Sequence, residues 1–381
     1  MTYAELHTKV LQMEVYRNEV AAINFGNLDK DTLRSELITI TDNLLSVDFM
    51  RTHDFSPYQP DQYISYVEFI SEWLWQLRDA NAYRLNAEMS YCIEKLIEKW
   101  DLQQTQKLVV FTLGDYAVHK VRRNVNTKQI DFLLGLSQVT GVQLTKEPVF
   151  VRVPDEFKDH MLANVALFHE VGHFVDRDNY ITDMVFTDIY PLLQAKKRSK
   201  FKRDYFPKYE GKDVNRISDA KTVVWSHLEE YIADVFGAQY AREQILCYLS
   251  YLEAKSTNRV TRDHPSYNSR HILVSAFLHR CEGRRSDSPL LDAILRYLPN
   301  LTAVDSPFTE DELLDPGLRF SDIDQLFGSF PLPWKNILYN AKENHLKREG
   351  KTDYMQVVAL QRYVDFDSNI RRAAHELMVR P

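Results

Sequence analysis

Cysteine is scarce in this 381-residue chain: Cys92, Cys247 and Cys281 stand far apart, and no C-x-x-C pair occurs. That excludes a disulfide framework, and leaves buried or semi-buried thiols of a reducing compartment as the expectation. Glycine (11) and proline (14) are also few. Their shortage excludes collagen-like and low-complexity classes and, with many long polar side chains present, leans towards helix. Nowhere do 18 consecutive apolar residues occur, and the richest run, Leu108 to Leu113, has the length of a strand, so no membrane-spanning helix is expected. Met1 to Val10 has no apolar stretch behind a basic start, so no secretory signal is expected either. Positive charge is not in excess: 47 Lys and Arg against 54 Asp and Glu leave a net charge of -7. The chain as a whole therefore has no general affinity for nucleic acid. A soluble cytoplasmic protein that needs no membrane is the expectation.

What is present is ordinary globular material, 44% hydrophobic, 12% aromatic and 27% charged. At roughly 150 residues per domain the length suits two or three modules. Ala4 to Val20 is amphipathic, Asp31-Thr32 offers a cap for a helix to about Leu45, and Thr52 to Gln62 reads as a loop. Tyr63 to Trp75 and Leu85 to Trp100 carry dense apolar faces at helical spacing, and Phe69, Trp73 and Trp75 are expected to pack in a core. Character changes near Lys107. Leu108 to Leu113 reads as a strand, Gly114-Asp115 as a turn, Tyr116 to Val121 as its partner, and Val149 to Val153 as a further strand closed by Pro154. Helices are then expected from Asp155 to about Asp176, Ser218 to Ala254 and Ser266 to Cys281, with Gly283 to Ser288 as a linker. The division expected is a helical region 1–105, a core 106–283 and a mainly helical region 284–381.

The helix expected after Asp155 contains His169-Glu170-Val171-Gly172-His173, the pattern H-E-x-x-H. Two histidines four apart lie on one helical face about one turn apart. Both can reach one tetrahedral Zn²⁺, while Glu170, a step round the helix, can bond the water instead of the metal. A shuffled chain of this composition shows the pattern about 3 times in 100, so a third ligand must support it. Glu230-Tyr231-Ile232-Ala233-Asp234 provides one: Glu230 can ligate the metal and Asp234 can orient a ligand histidine. Ala233 and Gly237 share that face, as suits two helices in close approach. His227 lies on it too, one turn earlier, as a group supporting the metal ligands or the substrate. Glu229 points about 100° away.

His264-Pro265 followed by Arg270 gives H-P-x-x-x-x-R at the next helix start. His264 and Arg270 are donors of the kind that stabilise a tetrahedral oxyanion or bridge active-site carboxylates. Between the histidines and Glu230 runs a basic stretch, Gln194 to Lys212, with Lys196, Lys197, Arg198, Lys200, Lys202 and Arg203 nearly consecutive. It suits a solvated loop, a gate over the cleft, or a docking surface for a regulatory protein partner. Nucleic acid is the rival occupant, through phosphate contacts. His375-Glu376 lacks a second histidine at ligand spacing, and no phosphate-cradling glycine motif or nucleophile elbow occurs.

HEVGH, EYIAD and HPSYNSR, in that order from Val149 to Leu278, resemble the gluzincin clan of zinc metallopeptidases. The third motif is most similar to the HtpX-like and CAAX-prenyl-protease group. The resemblance implies zinc bound by His169, His173 and Glu230, Glu170 as general base and Asp234 orienting a histidine. It also implies an edge strand at Phe150 to Val153 that holds substrate as an added β-strand. The fold class expected is α+β and predominantly helical: a zincin-like core with a small sheet, flanked by helical terminal regions. The function expected is hydrolysis of a protein or peptide substrate, selective or regulated. A non-catalytic zinc scaffold or sensor is the alternative.

Overall fold

The computed structural model describes residues 3–46, 60–80, 87–101, 107–114, 120–123, 135–194, 199–207, 217–242, 244–246, 260–333 and 361–380. Among them the chain is predominantly helical with one small mixed sheet, an α+β arrangement. It divides into two compact units, one of residues 1–85 and 103–158, the other of residues 86–102 and 159–381. This partition cuts across the three regions read from the sequence, because the strands pack with the N-terminal helices.

The first unit contains α1 (Tyr3–Ala21), α2 (Leu28–Ser46) and α3 (Pro60–Asp79). Helix α2 starts earlier than the Asp31-Thr32 cap expected, because the Asn27 side chain accepts from Lys30 N–H at 3.0 Å. Apolar residues at helical intervals, Leu33, Leu37, Ile40 and Leu44 on α2 and Tyr63, Val67, Ile70, Leu74 and Leu77 on α3, close one core. Trp73 lies fully buried between Phe69 at 4.4 Å and Phe150 at 6.2 Å, a packing role as expected, whereas Trp75 is only partly buried. The sheet runs in the order β1 (Lys107–Gly114), β3 (Glu147–Pro154), β2 (Lys120–Arg123).

Two expectations for the sheet are corrected. Lys120 to Arg123 pair antiparallel with β3, from Lys120↔Arg152 to Arg123↔Val149, and not with β1, while residues 115–119 of the expected turn and partner strand lie outside those described. Strand β3 is therefore central, parallel to β1 on its other side, so Phe150 to Arg152 have partners on both edges and cannot accept a substrate strand. Charge suits β2 to an edge, since it reads Lys-Val-Arg-Arg, whereas Leu108 to Phe111 on β1 and Val149 to Val151 on β3 are buried alike, so burial does not choose which of those two is central.

The second unit contains α4 (Ala87–Trp100), α5 (Ala166–Asn179), α6 (Ile181–Gln194), α7 (Lys200–Tyr205), α8 (Ile217–Ala241) and α9 (Tyr267–Cys281). They are followed by α10 (Pro289–Tyr297), α11 (Glu310–Leu314), α12 (Ile323–Gly328) and α13 (Gln361–Met378). The continuous helix expected from Asp155 is broken into 3-10 turns at Asp155–Phe157 and Leu162–Val165 before α5. The boundary between the units falls inside that stretch. Helix α8 also stops short of Ala254: Arg242 turns left-handed at φ 53, and Val304 N–H takes the Gln239 carbonyl at 2.8 Å. Residues 247–259, which include Cys247, lie outside those described.

Phe168 anchors the core behind α5, with Tyr240 at 5.1 Å, Phe330 at 5.2 Å and Phe327 at 6.0 Å. The Trp100 indole N–H donates to the Tyr240 hydroxyl at 2.9 Å, tying α4 to α8. Gly283 to Ser288 is a cap and not a linker: Gly283, at φ 73, and Arg284 return N–H bonds to the end of α9, and α10 follows in the same unit. No helix among the described residues is long and apolar enough to cross a membrane.

Candidate metal centre

Helices α5 and α8 cross at their small residues. A Cβ on Gly172 would stand 2.7 Å from the Ala233 Cα, and one on Gly237 would stand 3.3 Å from the His169 N. The glycine inside H-E-x-x-H thus admits the facing backbone, and His169, His173 and Glu230 come together at that crossing. Gly172 escaped the sequence reading, although a glycine in a helix interior is itself a signal of close packing.

Glu230 reaches each histidine through a different oxygen, Oε2 at 3.5 Å from His169 Nε2 and Oε1 at 3.4 Å from His173 Nε2. Donors held at about 2.0–2.2 Å by one tetrahedral ion stand about 3.4 Å apart. Both separations match that spacing and exceed the usual 2.9–3.0 Å of an N–H···O bond. Glu170 belongs to the same cluster: with His169 and His173 it offers donor atoms within 4.8 Å of one another. Two imidazoles and carboxylate oxygens form a donor set that suits first-row divalent ions, so this group could hold a metal ion.

A buried ion network supports the ligands. Asp234, fully buried, accepts a bidentate fork from Arg270, Nε to Oδ2 at 2.7 Å and Nη2 to Oδ1 at 2.6 Å. Asp234 Oδ1 also stands 3.1 Å from His169 Nδ1, close enough for charge to act across the contact though not aligned as a hydrogen bond. The Arg270 Nη2 lies 3.4 Å from Glu230 Oε2. Arg270 is 2% exposed and so bridges the two carboxylates, the second of the roles its position suggested. His173 Nδ1 has no hydrogen-bond partner among the described residues.

Burial opposes charge on His169, Glu230 and Asp234, and their partners decide the outcome. Burial alone would lower the His169 pKa, but the Asp234 and Glu230 carboxylates outweigh it and hold it up to about 10. Burial would raise Glu230, but His169 and His173 hold it well below the carboxylate range. Asp234 is lowered likewise, by Arg270 chiefly and by His169.

His264 sits half-exposed on a turn, its Nε2 3.7 Å from Glu230 Oε1. Pro265 precedes the helix, and Ser266 caps α9 by accepting from Ser269 N–H. His227 anchors that turn: its Nε2 lies 3.1 Å from the Thr261 carbonyl oxygen, and its ring stacks on Phe206. Burial lowers its pKa, against the Thr261 carbonyl, which raises it. His227 thus touches the turn that carries His264. Glu229 faces Arg177 at 3.8 Å instead of the cluster.

Only part of the basic stretch is described, since Lys196, Lys197 and Arg198 lie outside those residues. Lys200 pairs with Asp204 at 2.7 Å, and Lys202 is buried. Tyr205 shares a 2.7 Å hydroxyl contact with Ser288, and Phe206 packs edge-on against Tyr231. Residues 199–207 are therefore a packed element and not a uniform cationic face. Comparison of the chain with protein-family models, with curated proteins and with solved structures finds no match in any of the three.

Proposed function

We propose that this chain is a zinc-dependent endopeptidase of the gluzincin type, acting on a protein substrate in the cytoplasm and built on a zincin-like core. One observation carries the reading: Glu230, brought from a second helix, stands at metal-sharing distance from both histidines of an H-E-x-x-H helix whose glutamate remains beside them. A non-catalytic scaffold would have no use for Glu170, and structural zinc is normally closed by four protein ligands.

In this reading His169, His173 and Glu230 hold the ion, and zinc there supplies a Lewis acid that polarises a peptide carbonyl and acidifies a water. Glu170 accepts a proton as the water oxygen adds to the carbonyl carbon, and returns it to the amine nitrogen as the C–N bond breaks. Asp234, held by Arg270, lies against the His169 ring, and Arg270 also reaches the Glu230 carboxylate, so that little reorganisation is needed during the reaction. His264, half-exposed beside Glu230, is the donor placed to meet the developing oxyanion.

The test compares wild type with Glu170→Gln, each incubated with host lysate, and catalogues new protein N-termini by mass spectrometry. Termini appearing only with wild type, while both proteins retain one zinc per chain, are expected. Undiminished cleavage by zinc-loaded Glu170→Gln would remove Glu170 from its role. Absence of zinc from wild type would remove the whole reading.

A further inference from the structure

The helical run that carries both histidines begins without a cap of its own. Neither Met161, ahead of the Leu162–Val165 turn, nor Val165, ahead of α5, accepts a hydrogen bond through its side chain. The acceptor comes from 205 residues away: Asp367 on α13, 5% exposed, takes Leu162 N–H on Oδ1 at 2.8 Å. Its other oxygen faces His160 Nδ1 at 3.7 Å, and one turn along α13 the Arg371 guanidinium donates to the Asp159 carbonyl at 3.1 Å. A buried carboxylate at this end also opposes the positive pole of the helix. Leu162 to His169 is a short span, about 10 Å at helical rise, so disorder at the start reaches the first ligand within two turns.

We infer that Asp367 is a positioning residue of the metal centre: the C-terminal helix α13 caps the histidine-bearing helix, and metal affinity depends on that clamp. The inference rests on the metal-centre reading above. It gives the far end of the chain control over the site, since whatever loosens α13 uncaps α5. The rest of α13 is held by separate bonds. Asn369 donates to the Leu313 carbonyl at 3.2 Å and Arg372 to the Leu318 carbonyl at 2.8 Å. These supply a control that loosens the helix without touching Leu162.

The experiment uses the full chain with zinc alone as the probe. Zinc affinity is measured by competition with a chromophoric chelator, and amide hydrogen exchange is followed on the metal-free protein. Asp367→Ala should weaken zinc binding between about 2-fold and 30-fold, the range of a lost helix cap. It should also speed exchange locally, over residues 162–169. Asn369→Ala should leave both within about twofold of wild type. Asp367→Asn, which keeps an acceptor oxygen and drops the charge, should fall between them, and it carries the test if the alanine variant does not fold. Equal behaviour of Asp367→Ala and Asn369→Ala in both measurements overturns the inference. A wild-type chain that takes up no zinc instead overturns the metal reading. The two failures are distinguishable because the exchange is measured without metal.

Discussion

Adding one methyl at Gly172 tests whether the approach of two helices sets the metal centre. In Gly172→Ala the new Cβ would meet the Ala233 Cα at 2.7 Å, the Phe236 Cβ at 2.9 Å and the Ala233 carbonyl oxygen at 3.1 Å. Carbon atoms pack at about 3.5–4.0 Å, so α5 and α8 must part by about 1 Å, and neither backbone can rotate away as a side chain would. Alanine gains about 1 kcal/mol of helix propensity over glycine, against roughly 1–3 kcal/mol for overpacking. The fold should therefore lose up to about 2 kcal/mol. The centre should suffer more. Glu230 stands 3.4 and 3.5 Å from the two histidines, and about 1 Å of separation carries it past 4.2 Å, the widest gap that one ion with bonds of about 2.1 Å can span. Chelator competition should show zinc bound about 10- to 100-fold more weakly, the usual effect of disturbing a ligand's support. Gly237→Ala is the milder comparison, since its closest contact is the Ile245 Cγ1 at 3.0 Å, a side-chain atom that can give. If Gly172→Ala held zinc as tightly as wild type and melted no lower, the helix crossing would not be what sets the site.

Two further perturbations address the charges. Asp234→Asn leaves the buried Arg270 facing a neutral partner; losing one member of such a pair costs about 3–5 kcal/mol. Urea unfolding in the presence of a chelator should show that loss, and a change under about 1 kcal/mol would mean that Arg270 is satisfied elsewhere. The second concerns pH. In the metal-free protein the carboxylates hold the His169 pKa up to about 10. Its contribution to stability is therefore present in full below about 6.5 and is lost as pH rises through about 10. A zinc ion held by His169, as proposed, would have to displace that proton, so affinity should strengthen by up to tenfold for each pH unit from about 7 to 9. An affinity flat across that range refutes the displacement.

Local chemistry was legible in the sequence, and pairing between distant segments was not. The strands at 108–113 and 149–153 and the helices of the first hundred residues follow from apolar spacing, which burial enforces. The position of β3 between β1 and β2 does not, because a buried run of valines fits any place in a sheet covered on both faces. The same limit applies to the helix breaks. Nothing near Ala241 in sequence announces that Val304 will take the Gln239 carbonyl, and nothing near Leu162 announces Asp367. Within the site, H-E-x-x-H and E-x-x-x-D named the residues that meet at the crossing. H-P-x-x-x-x-R named the right arginine, but its burial against Asp234 depends on a helix crossing that spacing alone cannot supply.

The charge balance of the centre explains why these residues belong together. With the histidines neutral, Glu170, Glu230 and Asp234 contribute three negative charges, and Arg270, the buried guanidinium among them, contributes one positive charge. The deficit of two is the charge of a divalent cation. Leaving it unmet is costly where the carboxylates are largely desolvated, as at fully buried Asp234 and at Glu230. The metal-free protein meets part of it with a proton, and the proton settles on His169, the imidazole flanked by Glu230 on one nitrogen and Asp234 on the other. Asp234 therefore does more than aim a ring. By drawing the His169 proton while Arg270 holds its own charge in place, it would make a metal held by His169 compete with that proton, and occupancy of such a centre would then depend on pH.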